Sequence, residues 1–178
     1  MKLLEDGRIR LRAPEPEDLD TLYRWENDAS YWESGSTFSP YSRYALKRYI
    51  AESGNDFYER RQLRLMIELK EMSVAVGMID LYDFDPHHLR AGVGILLDGA
   101  YRRKGIAAGA LTLIVQYTFA FMKIHQLYAH IPQTNTPCLR LFERCGFETA
   151  GVMKDWLSTS GGYVNVVAVS LIRQDGNI

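Results

Sequence analysis

Three consecutive cations and a glycine lie between two apolar segments of the chain: Arg102, Arg103, Lys104 and Gly105. Residues 91–97 before them form an apolar run typical of a buried strand, and the pattern after them predicts a helix from near Lys104 to Met122. Backbone N–H groups at a helix start lack partners within the helix and, with the helix dipole, attract anions. Because Gly105 lets a phosphate approach the backbone, we expect a ligand that carries phosphates, most simply a pyrophosphate.

The common nucleotide-binding motifs do not fit this turn. A P-loop needs GxxxxGK[ST], but here Lys104 precedes Gly105 and Ile106 follows it. A dinucleotide site needs GxGxxG at the turn, whereas Gly92 and Gly94 lie inside the predicted strand. A nucleotide hydrolase would also need a magnesium-binding partner for the turn, and the sequence offers no plausible one. The sequence of the turn therefore predicts a phosphate site of another kind.

Two sequence blocks resemble the motifs of GNAT-type N-acetyltransferases. Arg102-x-x-Gly105-x-Ala107 is similar to the family's Q/R-x-x-G-x-G/A signature and has the family's position between an apolar strand and a long helix. The second block begins at Asn135, near a helix start, and ends with LFERCGF at residues 141–147, similar to the family's LYEKxGF. The resemblance spans essentially the whole chain and is closest to spermidine N-acetyltransferases and ribosomal-protein N-terminal acetyltransferases.

This resemblance implies acetyl-CoA as the co-substrate. Its pantetheine arm would hydrogen-bond to strand backbone as if it were another strand, and a backbone N–H there would polarise the thioester carbonyl. Asn135 would contact the cofactor near its thiol end. The implied cofactor residues are Ile95, Leu96 and Leu97 for the arm, and Arg102, Arg103, Lys104, Gly105, Ile106, Ala107 and Ala108 for the pyrophosphate.

Phe142 stands where family members commonly have a tyrosine that protonates the departing CoA thiolate. Phenylalanine has no proton to donate, although a thiol pKa of about 8.5 makes the thiolate a tolerable leaving group without help. We therefore expect slower or acid-independent turnover, with a water or Tyr101 as substitutes for the tyrosine. The alternative is a non-catalytic acyl-CoA-binding sensor or scaffold of the same fold.

An acceptor amine must lose a proton before it attacks. An alkylamine has a pKa of about 10.4, so holding it neutral at pH 7 costs roughly 4–5 kcal/mol, and a nearby carboxylate would lower that cost. The odd spacing of Asp80 and Asp83 sends them to opposite faces of a regular strand, so at most one faces a cleft unless a bulge intervenes. We prefer Asp83, because related polyamine enzymes carry an acid there. Glu33 is the other candidate, in a loop that helps form the acceptor site of those relatives.

The hydrophobic pattern predicts the elements that must position these residues. Strands are expected at residues 8–12, 63–69, 74–82, 91–97, 127–131, 147–153 and 164–172, the last two around a Gly161–Gly162 turn. Helices are expected after Pro16 through Trp25, over residues 44–53 and 104–122, and from an N-cap at Thr136 to Gly146. This order predicts one α/β (α+β layered) domain over residues 1–178, and the resemblance implies the GNAT acyl-CoA N-acyltransferase fold, a mixed, mostly antiparallel sheet flanked by helices.

Composition limits the kinds of partner that we expect this protein to bind. A net charge of -1 over 178 residues gives no overall attraction to nucleic acid or anionic membrane. No segment approaches the roughly 20 apolar residues of a membrane span, the N-terminus lacks signal-peptide features, and Cys138 and Cys145 suggest neither a disulfide framework nor a metal site. We therefore expect a cytoplasmic protein without metal, nucleic acid or membrane partners, and leave a homo-oligomer open.

The resulting functional prediction is an N-acetyltransferase that acts by direct attack in a ternary complex. The acceptor would be a primary amine, either a small amine or polyamine such as spermidine or a protein N-terminus. Acidic residues near the cleft favour a polycation, whereas the overall pattern favours a protein or peptide.

Overall fold

The computed structural model describes residues 3–34, 39–53 and 57–174, without the side chains of residues 33 and 34. Within these ranges seven strands form one sheet in the order β1-β2-β3-β4-β5-β7-β6, and only β4 and β5 are parallel neighbours. The strands are β1 (Ile9–Arg12), β2 (Leu63–Leu69), β3 (Val74–Asp85), β4 (Arg90–Leu97), β5 (Gln126–Pro132), β6 (Glu148–Thr159) and β7 (Gly162–Ile172). The sheet is mixed and mostly antiparallel, as the sequence predicts.

Helices cover both faces of this sheet. They are α1 (Leu19–Glu26), α2 (Arg43–Glu52), α3 (Phe57–Arg60), α4 (Ile106–Gln116) and α5 (Thr136–Arg144). Successive strand residues point to opposite faces, so Ile79 joins the core under α4 and α5, whereas Met78 joins a second core with Trp25 of α1 and Leu46 of α2. No helix among the described residues has the length and apolarity to cross a bilayer.

The structure corrects two helix boundaries. Asn135, not Thr136, is the N-cap of α5, because its side-chain oxygen accepts a hydrogen bond from the backbone N–H of Cys138 at 3.2 Å. The long helix expected up to Met122 ends as α-helix at Gln116 and continues as a π-helical turn, Tyr117–Phe121. In that turn the hydroxyl of the buried Thr118 donates back to the carbonyl of Ile114 at 2.8 Å, a contact that competes with the regular helical ladder.

The structure contains one helix that the sequence did not predict and one hairpin that is longer than predicted. The short helix α3 follows no strong periodic pattern and was not predicted. Strands β6 and β7 form a hairpin with arms of 12 and 11 residues around the expected glycine turn, so β6 extends past residue 153. The outer part of β6 is largely exposed, and the hydrophobic pattern therefore carries little signal there.

The parallel pair β4 and β5 separates almost as soon as it forms. Pairing joins Arg90 to Gln126, Ala91 to Leu127 and Gly92 to Tyr128, and then stops. Beyond that point β4 stays paired with β3 and β5 stays paired with β7. A gap therefore opens inside the sheet, flanked on both sides by strands that are held in place from behind.

A bulge in β3 changes which face its last residues occupy. The register between β3 and β4 shifts between Tyr82 and Asp85, and Asp83 adopts a left-handed conformation with φ of 49°. The opposite-face rule that separates Asp80 from Asp83 in a regular strand therefore fails here. The bulge is the exception that lets both carboxylates lie along one cleft.

Gly77 marks the close approach of β3 and β4. A Cβ at this position would lie 2.4 Å from the backbone oxygen of Leu96, so Gly77→Ala should lower the free energy of unfolding by about 1–3 kcal/mol, as measured by urea denaturation. Gly151→Ala is the matched strand control, because nothing lies within 4 Å of its Cβ position, and it should change stability by less than about 0.5 kcal/mol. Equal losses in the two variants would contradict this packing argument.

Candidate active site

A cleft of about 1030 Å³ occupies the gap between β4 and β5. Its walls are residues 93–95 of β4 and residues 129–132 of β5, and its rim is formed by the end of α3, the bulge of β3, the start of α5 and part of β6. Besides the strand walls, it is lined by Arg60, Arg61, Gln62, Asp80, Tyr82, Asp83, Phe84, Asp85, Asn135, Cys138, Phe142, Trp156, Leu157 and Val166. Its volume is at the upper end of the range of small-molecule sites.

Alternate residues of β4 turn their backbone groups towards this cleft. The N–H of Asp98 bonds to a β3 carbonyl at 2.9 Å, so strand alternation directs the backbone of Leu96 to β3 and that of Ile95 and Leu97 to the gap. The carbonyl of Leu97 is already occupied by the guanidinium of Arg102. Of the three residues expected to hold a pantetheine arm, Ile95 therefore keeps both backbone groups open on the cleft side, whereas Leu97 keeps only its N–H.

The first turn of α4, the helix mouth, begins with backbone N–H groups that no described side chain caps. Gly105 is the N-cap, with φ of 76° in the left-handed region that favours glycine. No described side chain caps this helix start, so the N–H groups of Ile106, Ala107 and Ala108 have no partner within the helix. A Cβ at Gly105 would meet nothing within 4 Å. The mouth thus offers both the donors and the space that a phosphate group needs.

Arg102 braces the turn and does not point at this mouth. Its Nε donates to the carbonyl of Leu97 at 3.1 Å, and a terminal nitrogen donates to the hydroxyl of Tyr31 at 3.2 Å. These bonds tie the end of β4 to the 3-10 turn Ala29–Ser34. The residue that opens the predicted signature is thus a structural link, with its guanidinium engaged by protein atoms.

The other cations surround the helix mouth. Arg103 is exposed, and the ammonium of Lys104 lies 5.3 Å from the centroid of the Tyr101 ring. Arg8, which no sequence motif singled out, donates to the carbonyl of Lys104 at 2.6 Å. Three cations therefore lie near the first turn of α4, and Arg8 among them comes from the segment before β1.

Asp98 connects this turn to the opposite face of the sheet. Its carboxylate accepts from the indole N–H of Trp25 at 3.1 Å, from Arg24 at 3.0 Å and from the backbone N–H of Ala100 at 3.2 Å. The hydrogen bond from Trp25 is the main cause that lowers the pKa of Asp98 below its ordinary value. Helix α1 and the start of the basic turn are thereby held together by one ionised group.

The candidate base residues have different surroundings. Both oxygens of Asp80 are engaged by the guanidinium of Arg64 at 2.8 Å, and Arg64 also pairs with Glu26. Asp83 is exposed at the cleft and makes no hydrogen bond or ion pair with the described residues. Glu33 belongs to the 3-10 turn Ala29–Ser34, but its side chain lies outside the described part of the structure. Asp83 is therefore the available carboxylate at the cleft.

Phe142 is buried at the cleft wall and packs against the ring of Phe147, with centroids 4.9 Å apart. Asn135 also lines the cleft, with its side-chain oxygen engaged as the helix cap. Tyr101, proposed from sequence as a substitute acid, packs against the core and does not line the cleft. Phe142 and Asn135 therefore lie at the cleft, whereas Tyr101 lies elsewhere.

Tyr82 is the phenol that the sequence analysis missed. Its ring lies across two glycines of the next strand, since a Cβ at Gly92 would be 2.3 Å from a ring atom and one at Gly94 would be 3.7 Å away. Burial is the main cause that raises the pKa of Tyr82 to about 12, and the backbone of His130 on β5, acting as a donor, opposes this shift. Alternating glycines in a buried strand opposite an aromatic residue are the signal that could have identified it.

Comparisons with known proteins find a family pattern, related sequences and similar folds. The pattern of the acetyltransferase (GNAT) domain family matches residues 8–148. The chain is 25% identical to an uncharacterised N-acetyltransferase of Bacillus licheniformis over 98% of both chains. The spermidine N-acetyltransferase of Vibrio cholerae, solved with CoA and spermine, is 21% identical and superposes with a TM-score of 0.83, covering 94% of this chain and 96% of that one. The ribosomal-protein-S5-alanine acetyltransferase of Vibrio fischeri is 18% identical, with a TM-score of 0.83 over 98% of both chains.

Asp98→Asn should change how the free energy of unfolding falls at acid pH. A carboxylate whose pKa is lowered on folding stabilises the protein above its unfolded pKa, and that contribution is lost as the pH falls through the folded pKa. Removing the charge should therefore lower the free energy of unfolding by about 1 kcal/mol at pH 7. It should also make the further fall of stability below about pH 4 less steep than in the wild type. Urea denaturation at several pH values measures both effects, and parallel curves for the two proteins would contradict the assigned role of Asp98.

Proposed function

Because the chain belongs to the GNAT acetyltransferase family, we propose that it transfers an acetyl group from acetyl-CoA to a primary amine in a ternary complex. The observation that carries this proposal is the junction of β4 and α4. An open strand edge lines the cleft and leads directly to a helix start with free N–H groups and nearby cations. That junction fits a ligand with an extended arm that ends in a diphosphate.

Different groups of the chain bind different parts of this ligand. The N–H groups of residues 106–108 hold the diphosphate, and the cations Arg8, Arg103 and Lys104 balance its charge. The backbone of Ile95 bonds to the arm from one side of the cleft. Arg102 acts by fixing the turn against Leu97. Acetyl-CoA, when bound, supplies the acetyl group as a reactive thioester.

The protonation state of the cysteine that lines the cleft supports direct transfer to the amine. Cys138 lines the cleft, but burial raises the pKa of its thiol to about 11. The thiol therefore stays protonated near neutral pH, and only the thiolate is an effective nucleophile. An acyl-cysteine route is disfavoured for this reason, which leaves attack by the acceptor amine itself.

Asp83 takes the proton from the amine. Its carboxylate has no partner among the described residues, whereas the two oxygens of Asp80 are occupied by Arg64. The same negative charge attracts the ammonium form of the acceptor before the proton leaves. Asp83 therefore contributes both to binding and to deprotonation.

Tyr82 donates a hydrogen bond to the sulfur that leaves. Its phenol remains protonated because its pKa is raised to about 12, and its ring lies beside Gly94 in the cleft wall. Phe142 offers no donor at the position usual in the family. The alternative function, an acyl-CoA sensor without turnover, is favoured by Phe142 alone.

CoA binding tests the diphosphate site. Gly105→Glu places a carboxylate at the helix mouth and a side chain at a left-handed φ, so CoA affinity measured by calorimetry should fall at least about tenfold, since like charges repel. Gly151→Glu adds the same charge at an open strand position away from the mouth and should bind CoA as the wild type does. Unchanged affinity in Gly105→Glu would overturn the assignment.

Turnover tests the two candidate acids. With a mixed panel of amines in a thiol-release assay, Tyr82→Phe should lower kcat by about 10- to 100-fold, the usual range for loss of one acid–base group. Tyr101→Phe is the control and should leave kcat within about twofold, because Tyr101 does not line the cleft. Tight CoA binding without thiol release for any amine would favour the sensor.

A further inference from the structure

Two charges of opposite sign at the cleft rim have no partner in the described structure. Arg61 and Asp83 both line the cleft, and neither side chain makes a hydrogen bond or ion pair with the described residues. Their charged neighbours are engaged instead. Arg60 pairs with Glu52 at 2.9 Å, Asp85 with Arg90 at 3.3 Å, and Asp80 with Arg64 at 2.8 Å. Among its described residues, the rim thus offers one free guanidinium and one free carboxylate.

The backbone holds these two residues next to each other in an unusual conformation. Arg61 has φ of 56° and Asp83 has φ of 49°, in the left-handed region that costs most residues roughly 1–2 kcal/mol. The N–H of Phe84 donates to the carbonyl of Arg61 at 3.1 Å, which joins the end of α3 to the bulge of β3. Strain of this kind persists only where neighbouring structure enforces it, and it is concentrated at functional sites.

An aromatic cluster supplies that enforcement. Phe84 is 2% exposed, and its ring lies 4.5 Å from that of Phe57 and 5.2 Å from that of Tyr58, measured between centroids. Helix α3 is thereby packed directly onto the residue that follows Asp83. The positions of Arg61 and Asp83 are consequently set together by one hydrophobic contact.

We propose that Arg61 and Asp83 together select an acceptor that carries both an amine and a carboxylate. Asp83 attracts the ammonium group, and the guanidinium of Arg61 binds the carboxylate, for which its fork of donors is well suited. A polyamine carries positive charges only, so Arg61 would repel it, and the carboxylates of Asp80 and Asp85 are already neutralised. This inference rests on the proposed acetyl transfer and names the class of its acceptor.

Matched acceptors test the selection. Lysine and cadaverine, and ornithine and putrescine, differ only by a carboxylate, so kcat/KM for each is measured at saturating acetyl-CoA by thiol release. We expect the wild type to prefer the amino acid at least about tenfold, as a charge-assisted hydrogen bond provides. Equal or better turnover of the diamines would overturn the selection while leaving acetyl transfer intact. No release with any acceptor would overturn both proposals.

Arg61→Gly removes the guanidinium without endangering the fold, because glycine adopts a φ of 56° freely. The preference for the amino acid should fall to within about twofold of parity, while the KM for acetyl-CoA stays unchanged. Ser73→Gly relieves a similar φ of 52° in the turn between β2 and β3, away from the cleft, and should keep the preference. A preference that survives in Arg61→Gly would overturn the role of Arg61.

Discussion

The hydrogen bonds between β4 and β5 end at Gly92 and Tyr128, and the cleft exists because they end there. Each strand keeps a partner on its other side, so the sheet can part without unfolding. Backbone donors and acceptors that a continuous sheet would have used remain on the cleft side of β4. Such groups need a partner, and the extended ligand proposed for the gap would supply one in the manner of an additional strand.

The end of β4 must be held in place for the gap to have a constant shape. Arg102 and Asp98 do this from two directions, one through the carbonyl of Leu97 and the other through Trp25 of α1. Both residues belong to the short segment between β4 and α4, where the diphosphate site is proposed. The same segment therefore positions the helix mouth and anchors the face of the sheet on which α1 and α2 pack.

Most charged side chains around the cleft are paired with a residue of opposite charge. Asp80 shares Arg64 with Glu26 on the face of α1 and α2, because a carboxylate that is half-buried there needs a strong partner. The bulge of β3 moves Asp83 to the same cleft but leaves it without such a partner in the part of the chain that the structure describes. Two acids only three residues apart consequently have different chemistry, one structural and one available to a ligand.

The amino-acid sequence alone determined the order of most elements and the turn with its glycine at the helix start, because local hydrophobic periodicity and backbone preferences encode these features. The mixed sheet was implied by the family resemblance. The tertiary structure decided which side chains meet. Arg102 follows the predicted motif yet turns back to Leu97, Tyr101 lies away from the cleft, and Tyr82 lies in it. The placement of Arg61 beside Asp83 depends on a strand bulge and on an aromatic contact between distant segments, and such long-range contacts leave no periodic signal in either segment.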